Sequence, residues 1–174
     1  MSMRARTGRA RRCAVALAIG LAAWLGCDPE PGASVARVDA GHLRQRLESL
    51  QGNPVLLVFW ATWCQPCIQE VPELAALHES APEGLRVVGV SLDALSVDND
   101  RASTRVAQFL RSTPVPYAQL LYVGAPEPLV QAYQLPGNIP FAILYDARGR
   151  TLRRYEGRVS AATIRAALSS AGER

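Results

Sequence analysis

Apolar and polar positions change period several times along this chain, and the changes mark its elements. Val55-Leu56-Leu57-Val58-Phe59-Trp60 is an unbroken apolar run bounded by Asn53-Pro54, the pattern of a strand buried on both faces. From Ile68 to His78 the apolar residues fall at 68, 71, 74, 75 and 77, which lines one side of a helix. Leu43, Leu47 and Leu50 predict an earlier helix within 39–50, with Asp39 as its cap. Residues 85–92 follow Gly84 as a second strand, and 93–100 form a polar connection. Val106, Phe109 and Leu110 place a helix over 101–111, which Pro114 and Pro116 end. A third strand over 117–123 leads through a Pro-rich turn into a short helix at 129–135, stopped by Pro136-Gly137. Residues 141–145 and 151–155 read as two strands about a hairpin turn at 146–150, and 161–170 as a closing helix. The order is α β α β α β α β β α, an α/β domain without internal repeats.

The first 37 residues follow another logic. Residues 1–12 are Arg-rich and 13–26 are apolar and Ala-rich, a stretch short for a membrane-spanning helix. These are the charged and apolar parts of an export signal. The segment ends Trp24-Leu25-Gly26-Cys27, which resembles a bacterial lipoprotein cleavage box with Cys27 as the lipidated residue. Trp24 stands where such boxes usually carry leucine, so an uncleaved anchor or an ordinary signal peptide cut nearby remain alternatives. Arg11-Arg12 lacks the apolar pattern of a twin-arginine signal, which points to the general export route. Residues 28–37, rich in Pro, Gly and small side chains, read as a flexible tether, leaving 38–174 as one domain.

Charge alters the picture only at the N-terminus. The chain has no lysine, and five of its 19 arginines precede residue 13; the other 14 face 15 acidic residues, a net charge of −1. The body therefore carries no basic excess for nucleic acid. Of the four cysteines, Cys13 and Cys27 belong to the export segment, and only Cys64 and Cys67 lie in the domain. Two cysteines without a second pair or a histidine motif make a poor zinc site, and no metal is expected.

Cys64 and Cys67 stand at i and i+3 where a strand ends and a helix begins. Free N–H groups and the helix dipole at that place lower the pKa of a thiol at position 64, and position 67 is within disulfide reach. This is the C-x-x-C redox arrangement. The sequence Phe59-Trp60-Ala61-Thr62-Trp63-Cys64-Gln65-Pro66-Cys67, followed by Glu70 and Pro72, resembles the TlpA/ResA/DsbE group of thioredoxin-like proteins, and the resemblance extends over about residues 38–170.

The resemblance implies a thioredoxin fold, a central mixed sheet flanked by helices, with the helix–strand insertion typical of TlpA-like proteins before the Pro140 strand. It implies that Cys64 attacks and Cys67 resolves, the Cys64–Cys67 disulfide being the only redox group and no separate cofactor being needed. Gln65-Pro66 resembles reducing members, since oxidising ones carry a histidine before the second cysteine. Pro140 is expected to follow a cis peptide bond opposite the cysteines and, with Ile139, to leave a backbone edge for substrate. Trp63 is expected at the active-site rim beside Pro66, and Trp60 in the core. Val58 occupies the strand position where thioredoxins bury an acid, and the resemblance gives Glu70 that task, from a position expected to be partly exposed; an ordinary solvated helix glutamate is the alternative. His42 and His78 have no motif partner and read as surface or packing residues.

Together these readings describe a periplasmic, lipid-anchored, monomeric thiol–disulfide oxidoreductase that reduces disulfides in exported proteins with electrons from a membrane thiol donor. A disulfide oxidase or isomerase is the nearest alternative. A thiol peroxidase would need Thr at position 61, where Ala stands, and a Sco-like copper protein would need wider cysteine spacing and a distal histidine.

Overall fold

The computed structural model describes residues 35–80 and 82–172. Cys27, the export segment and most of the tether lie outside the described residues. The elements run β1 (Ala36–Val38), α1 (Ala40–Glu48), β2 (Val55–Trp60), α2 (Gln65–Ser80), β3 (Arg86–Ser91), α3 (Asn99–Ser112), β4 (Ala118–Tyr122), α4 (Pro126–Tyr133), β5 (Phe141–Tyr145), β6 (Thr151–Glu156) and α5 (Ala161–Gly172). One sheet holds all six strands in the order β1-β4-β3-β2-β5-β6. β2 runs parallel to β3 and antiparallel to β5, so the sheet is mixed. Between β3 and β5 lie α3, β4 and α4, which contain the expected additional helix and strand.

The unbroken apolar run of β2 follows from its place. It is interior to the sheet and covered on both faces, so all six residues are buried. Val55, Leu57 and Phe59 pack with Leu43 of α1 and with Leu129 and Tyr133 of α4. Leu56 and Val58 face Leu74 and Leu77 of α2 and Ile164 and Leu168 of α5. Trp60, next along that second face, packs with Cys64, Cys67 and with Ala102 and Val106 of α3. Each such aliphatic side chain, taken fully from water, contributes roughly 1.5–3 kcal/mol. The core therefore holds β2 firmly, and the cysteine motif hangs from its C-terminal end.

Several boundaries differ from the sequence pattern. β1 takes in the last two residues of the stretch read as tether, pairing in parallel with β4 from Ala36↔Leu120 to Val38↔Tyr122. Three residues are too few to show alternation. α2 starts at Gln65, directly after Cys64 and three residues before its apolar stripe, and so contains Cys67. α4 starts at Pro126, where the fixed φ of proline suits a first helical turn. α1 is capped as expected, with the Asp39 carboxylate accepting from the His42 N–H at 2.8 Å. His42 is exposed, and His78 Nδ1 accepts from the Val87 N–H at 3.4 Å, so both histidines have structural surroundings.

One polar pair crosses the sheet beneath the motif. The Trp60 indole N–H donates to Gln119 Oε1 at 3.0 Å, from β2 to β4 across the intervening strand β3. A Cβ at Gly89 of β3 would collide with that amide, so glycine leaves the room the amide occupies.

Candidate active site

The first turn of α2 carries both cysteines. The Cys64 carbonyl accepts from the Ile68 N–H at 3.1 Å, which places Cys64 at the helix N-cap position. Cys64 and Cys67 are joined as a disulfide, with Cα atoms 5.3 Å apart. The Cys67 N–H points at Cys64 Sγ from 3.3 Å. In the reduced protein the same N–H, with the helix terminus, stabilises a Cys64 thiolate. Exposure separates the two sulfurs' residues: Cys64 is 6% exposed, Cys67 only 1%, and the adjoining Trp63 is 57% exposed. Gln65 and Pro66 are also exposed, while Trp60 is buried behind the pair.

The β5 end of the sheet supplies the opposite wall. The Ile139–Pro140 peptide bond is cis, and the Ile139 carbonyl oxygen lies 3.6 Å from Cys64 Sγ. Cys64 and Ile139 thus meet at one end of the sheet, with Trp63 next to Cys64 in the chain and Pro140 next to Ile139. A groove of about 700 Å³ opens elsewhere, lined by Val55 at the start of β2 and by Arg44, Tyr133 and Asp146, and it does not include the cysteines.

Glu70 differs from the expectation of a partly exposed helix residue: it is 1% exposed. It shares the sheet-facing side of α2 with Cys67, one turn earlier. Its Oε1 accepts from the Val159 N–H at 2.6 Å, from the loop between β6 and α5. Burial pushes the Glu70 carboxyl above the ordinary glutamate range; the Val159 hydrogen bond and the Arg158 charge oppose that rise, and Glu73 adds to it. Arg158 itself pairs with Glu73 at 2.9 Å. Tyr117, just before β4, is buried, and its phenol is raised by burial and by the charge of Glu70. The partner that makes burial of Glu70 tolerable is a backbone amide 89 residues away, a separation no local pattern reveals.

Asp93 also escaped the sequence reading, which placed it in a polar connection. It is fully buried at the end of β3, and its carboxylate is bonded to Thr62 and Ser91. Among the described residues no group of three His, Cys, Asp or Glu side chains is placed to hold a metal ion.

Residues 31–168 match the model described as the AhpC/TSA family. The chain belongs to that family. Within the AhpC/TSA family it is 37% identical over 73 residues to the thiol-disulfide oxidoreductase ResA of Oceanobacillus iheyensis, a match covering 41% of this chain and 36% of that protein. It is 26% identical over 126 residues to ResA of Bacillus subtilis, covering 72% of this chain and 65% of the relative. The chain thus spans less than two thirds of each of these curated relatives. The solved structure of a thioredoxin-related protein from Neisseria meningitidis serogroup B superposes with a TM-score of 0.62 at 27% identity, covering 74% of this chain and 91% of that one. The fold of this AhpC/TSA member is the thioredoxin fold, and the resemblance of its 59–67 motif to the TlpA/ResA/DsbE group is borne out by the names of these relatives.

Proposed function

We propose that this chain is a thiol–disulfide oxidoreductase that reduces disulfides in exported proteins. The observation that carries the reading is the Cys64–Cys67 disulfide at the N-terminus of α2, with Cys64 slightly exposed next to the solvent-facing Trp63 and Cys67 almost wholly buried. In the reduced protein the Cys64 thiolate attacks a substrate sulfur. One S–S bond forms as the substrate's breaks, and the departing substrate thiolate takes up a proton. Cys67, deprotonated, then attacks Cys64 Sγ; the mixed disulfide breaks, the Cys64–Cys67 bond forms, and the substrate leaves with two electrons and two protons gained. A thiol donor restores the dithiol by the reverse exchange. The exposed Trp63 and the backbone at Ile139 flank the reacting sulfur and suit a polypeptide substrate. A peroxidase role is disfavoured because position 61 is Ala and the Thr62 hydroxyl is engaged by Asp93.

Two features of the site support the proposed reducing direction. Oxidants of this fold stabilise the reduced form. Here Gln65-Pro66 brings no histidine, and the buried Glu70 carboxylate one turn from Cys67 opposes ionisation of the pair. Equilibration with glutathione or thioredoxin is expected to give a potential nearer the roughly −270 mV of thioredoxin than the about −120 mV of DsbA. A value above about −180 mV assigns the pair to oxidation or isomerisation instead.

The same proposal places the domain outside the cytoplasmic membrane, in the periplasm, as a monomer held by lipid on Cys27 and supplied by a membrane thiol donor. No described helix is long and apolar enough to cross a membrane. The anchor is assigned from the charged and apolar blocks before Cys27. Cys27→Ser is expected to move the protein from the detergent phase to the aqueous phase or to leave an uncleaved precursor. A variant that partitions and migrates like the parent removes lipidation at this residue.

A further inference from the structure

We infer that Asp93 is a positioning residue for Cys64, acting through Thr62; this rests on the oxidoreductase reading above. In the turn that carries the attacking cysteine, Ala61 and Cys64 belong to the buried cluster around Trp60, and Thr62 and Trp63 between them do not. Ala61 is buried at its start, Thr62 is half-buried, and Trp63 projects into solvent at 57% exposure. The Cys64 N–H donates to the Ala61 carbonyl at 3.1 Å, closing a four-residue turn between β2 and α2. Between those ends the turn is held from outside. Asp93 Oδ2 accepts the Thr62 backbone N–H at 2.9 Å, and Asp93 Oδ1 accepts the Thr62 hydroxyl. A carboxylate that takes both donors of one residue fixes its backbone and its side chain together.

Asp93 is itself held rigidly. It is 0% exposed and sits where β3 ends, next to the last paired residues Trp60↔Ser91. The Ser91 hydroxyl donates to Oδ2 at 2.8 Å, the Asp93 N–H returns a bond to Ser91 Oγ at 3.2 Å, and the Leu92 N–H donates to the Trp60 carbonyl at 2.8 Å. The end of β3 is thereby made a fixed support for the loop leaving β2. Two residues beyond Thr62, Cys64 Sγ must stay 3.3 Å from the Cys67 N–H and near the Ile139 carbonyl. A displacement of Thr62 moves the sulfur off both, and small misplacements of a nucleophile lower rates strongly.

The test uses the reduced domain and three variants, Asp93→Ala, Thr62→Val and Thr62→Ser. Each is checked for folding by circular dichroism, then assayed for the pH dependence of Cys64 alkylation and for exchange with a model protein disulfide. Thr62→Val, which leaves the charge of the site unchanged, is expected to shift the alkylation midpoint to alkaline pH by about half a unit or more, because the thiolate loses its aligned donors. Asp93→Ala also removes a negative charge, which acts in the opposite direction, so its expected effect is read in the exchange rate. Exchange slows by about tenfold in both. Thr62→Ser, which keeps the hydroxyl, recovers most of the loss. If Asp93→Ala does not fold, the valine and serine variants decide. Folded Asp93→Ala and Thr62→Val proteins with the parent's rate, the valine variant also keeping the parent's midpoint, overturn the inference alone. A parent that exchanges with no disulfide overturns the oxidoreductase reading, while the alkylation midpoints still report on the positioning.

Discussion

Cys67→Ser is expected to accumulate as a covalent complex with its substrate, while Cys64→Ser loses exchange by about a thousandfold or more. The two outcomes differ because the two sulfurs occupy different places in one helical turn. Cys64, the more exposed of the two at 6%, adjoins the solvent-facing Trp63 and lies 3.6 Å from the Ile139 carbonyl, so it is the sulfur expected to meet a substrate disulfide. Cys67, at 1% exposure, is reached only from Cys64. Without Cys67 the first exchange still proceeds, but the mixed disulfide has no intramolecular attacker and persists until an external thiol arrives. Without Cys64 the only cysteine among the described residues is Cys67, at 1% exposure. Both variants should fold, since a bridge closing only three residues of sequence adds about 2 kcal/mol to the oxidised form, less than a domain's usual margin. Non-reducing electrophoresis of the variants incubated with a disulfide-bonded protein reads the result. A trapped complex with Cys64→Ser instead of Cys67→Ser reverses the assignment.

The chemistry was legible in the sequence where it depends on neighbours in the chain. An apolar run of six residues, a C-x-x-C and an apolar stripe of helical period together define a strand, its end and a helix N-terminus, and the sulfurs follow from that. The apolar stripe begins only at Ile68 because Gln65, Pro66 and Cys67 add nothing to it, while the helix itself begins directly after Cys64, where the cysteine spacing puts it. What could not be read locally is the burial of polar groups. Asp93 resembles any turn aspartate until Thr62, 31 residues earlier, is placed against it. Gly89 reads as a strand glycine without purpose until Gln119 of β4 lies over it. β1 is made a strand by its register with β4, not by three residues of its own pattern.

Glu70 is the position where that difference has the largest measurable consequence. A glutamate in a helix that also exposes Glu73 and Glu79 reads as solvated, and folding instead closes it against the sheet with the Val159 N–H as its hydrogen-bond donor. Its carboxyl titrates higher in the folded chain than the ordinary value of 4.5, chiefly because burial disfavours the charge. The folded state therefore binds this proton more tightly than the unfolded state. As pH rises from 4.5 through the folded value, ionisation costs stability, and the cost is complete above that value. Glu70→Gln removes the charge and keeps an oxygen for Val159, so the oxidised variant should match its parent at acid pH and exceed it in urea midpoint toward neutral pH. Exchange should move the other way. We propose the carboxylate one turn from Cys67 as the base for the proton of the resolving thiol, and its loss is expected to slow resolution by about 10- to 100-fold. Removing a negative charge beside the pair also shifts the thiol titration to lower pH. Urea unfolding from pH 3 to 8, with single-turnover exchange from pH 5 to 10, separates the two effects. A variant altered in urea midpoint but superimposable in both rate and thiol titration would make Glu70 a buried structural carboxylate and leave the proton of Cys67 to water.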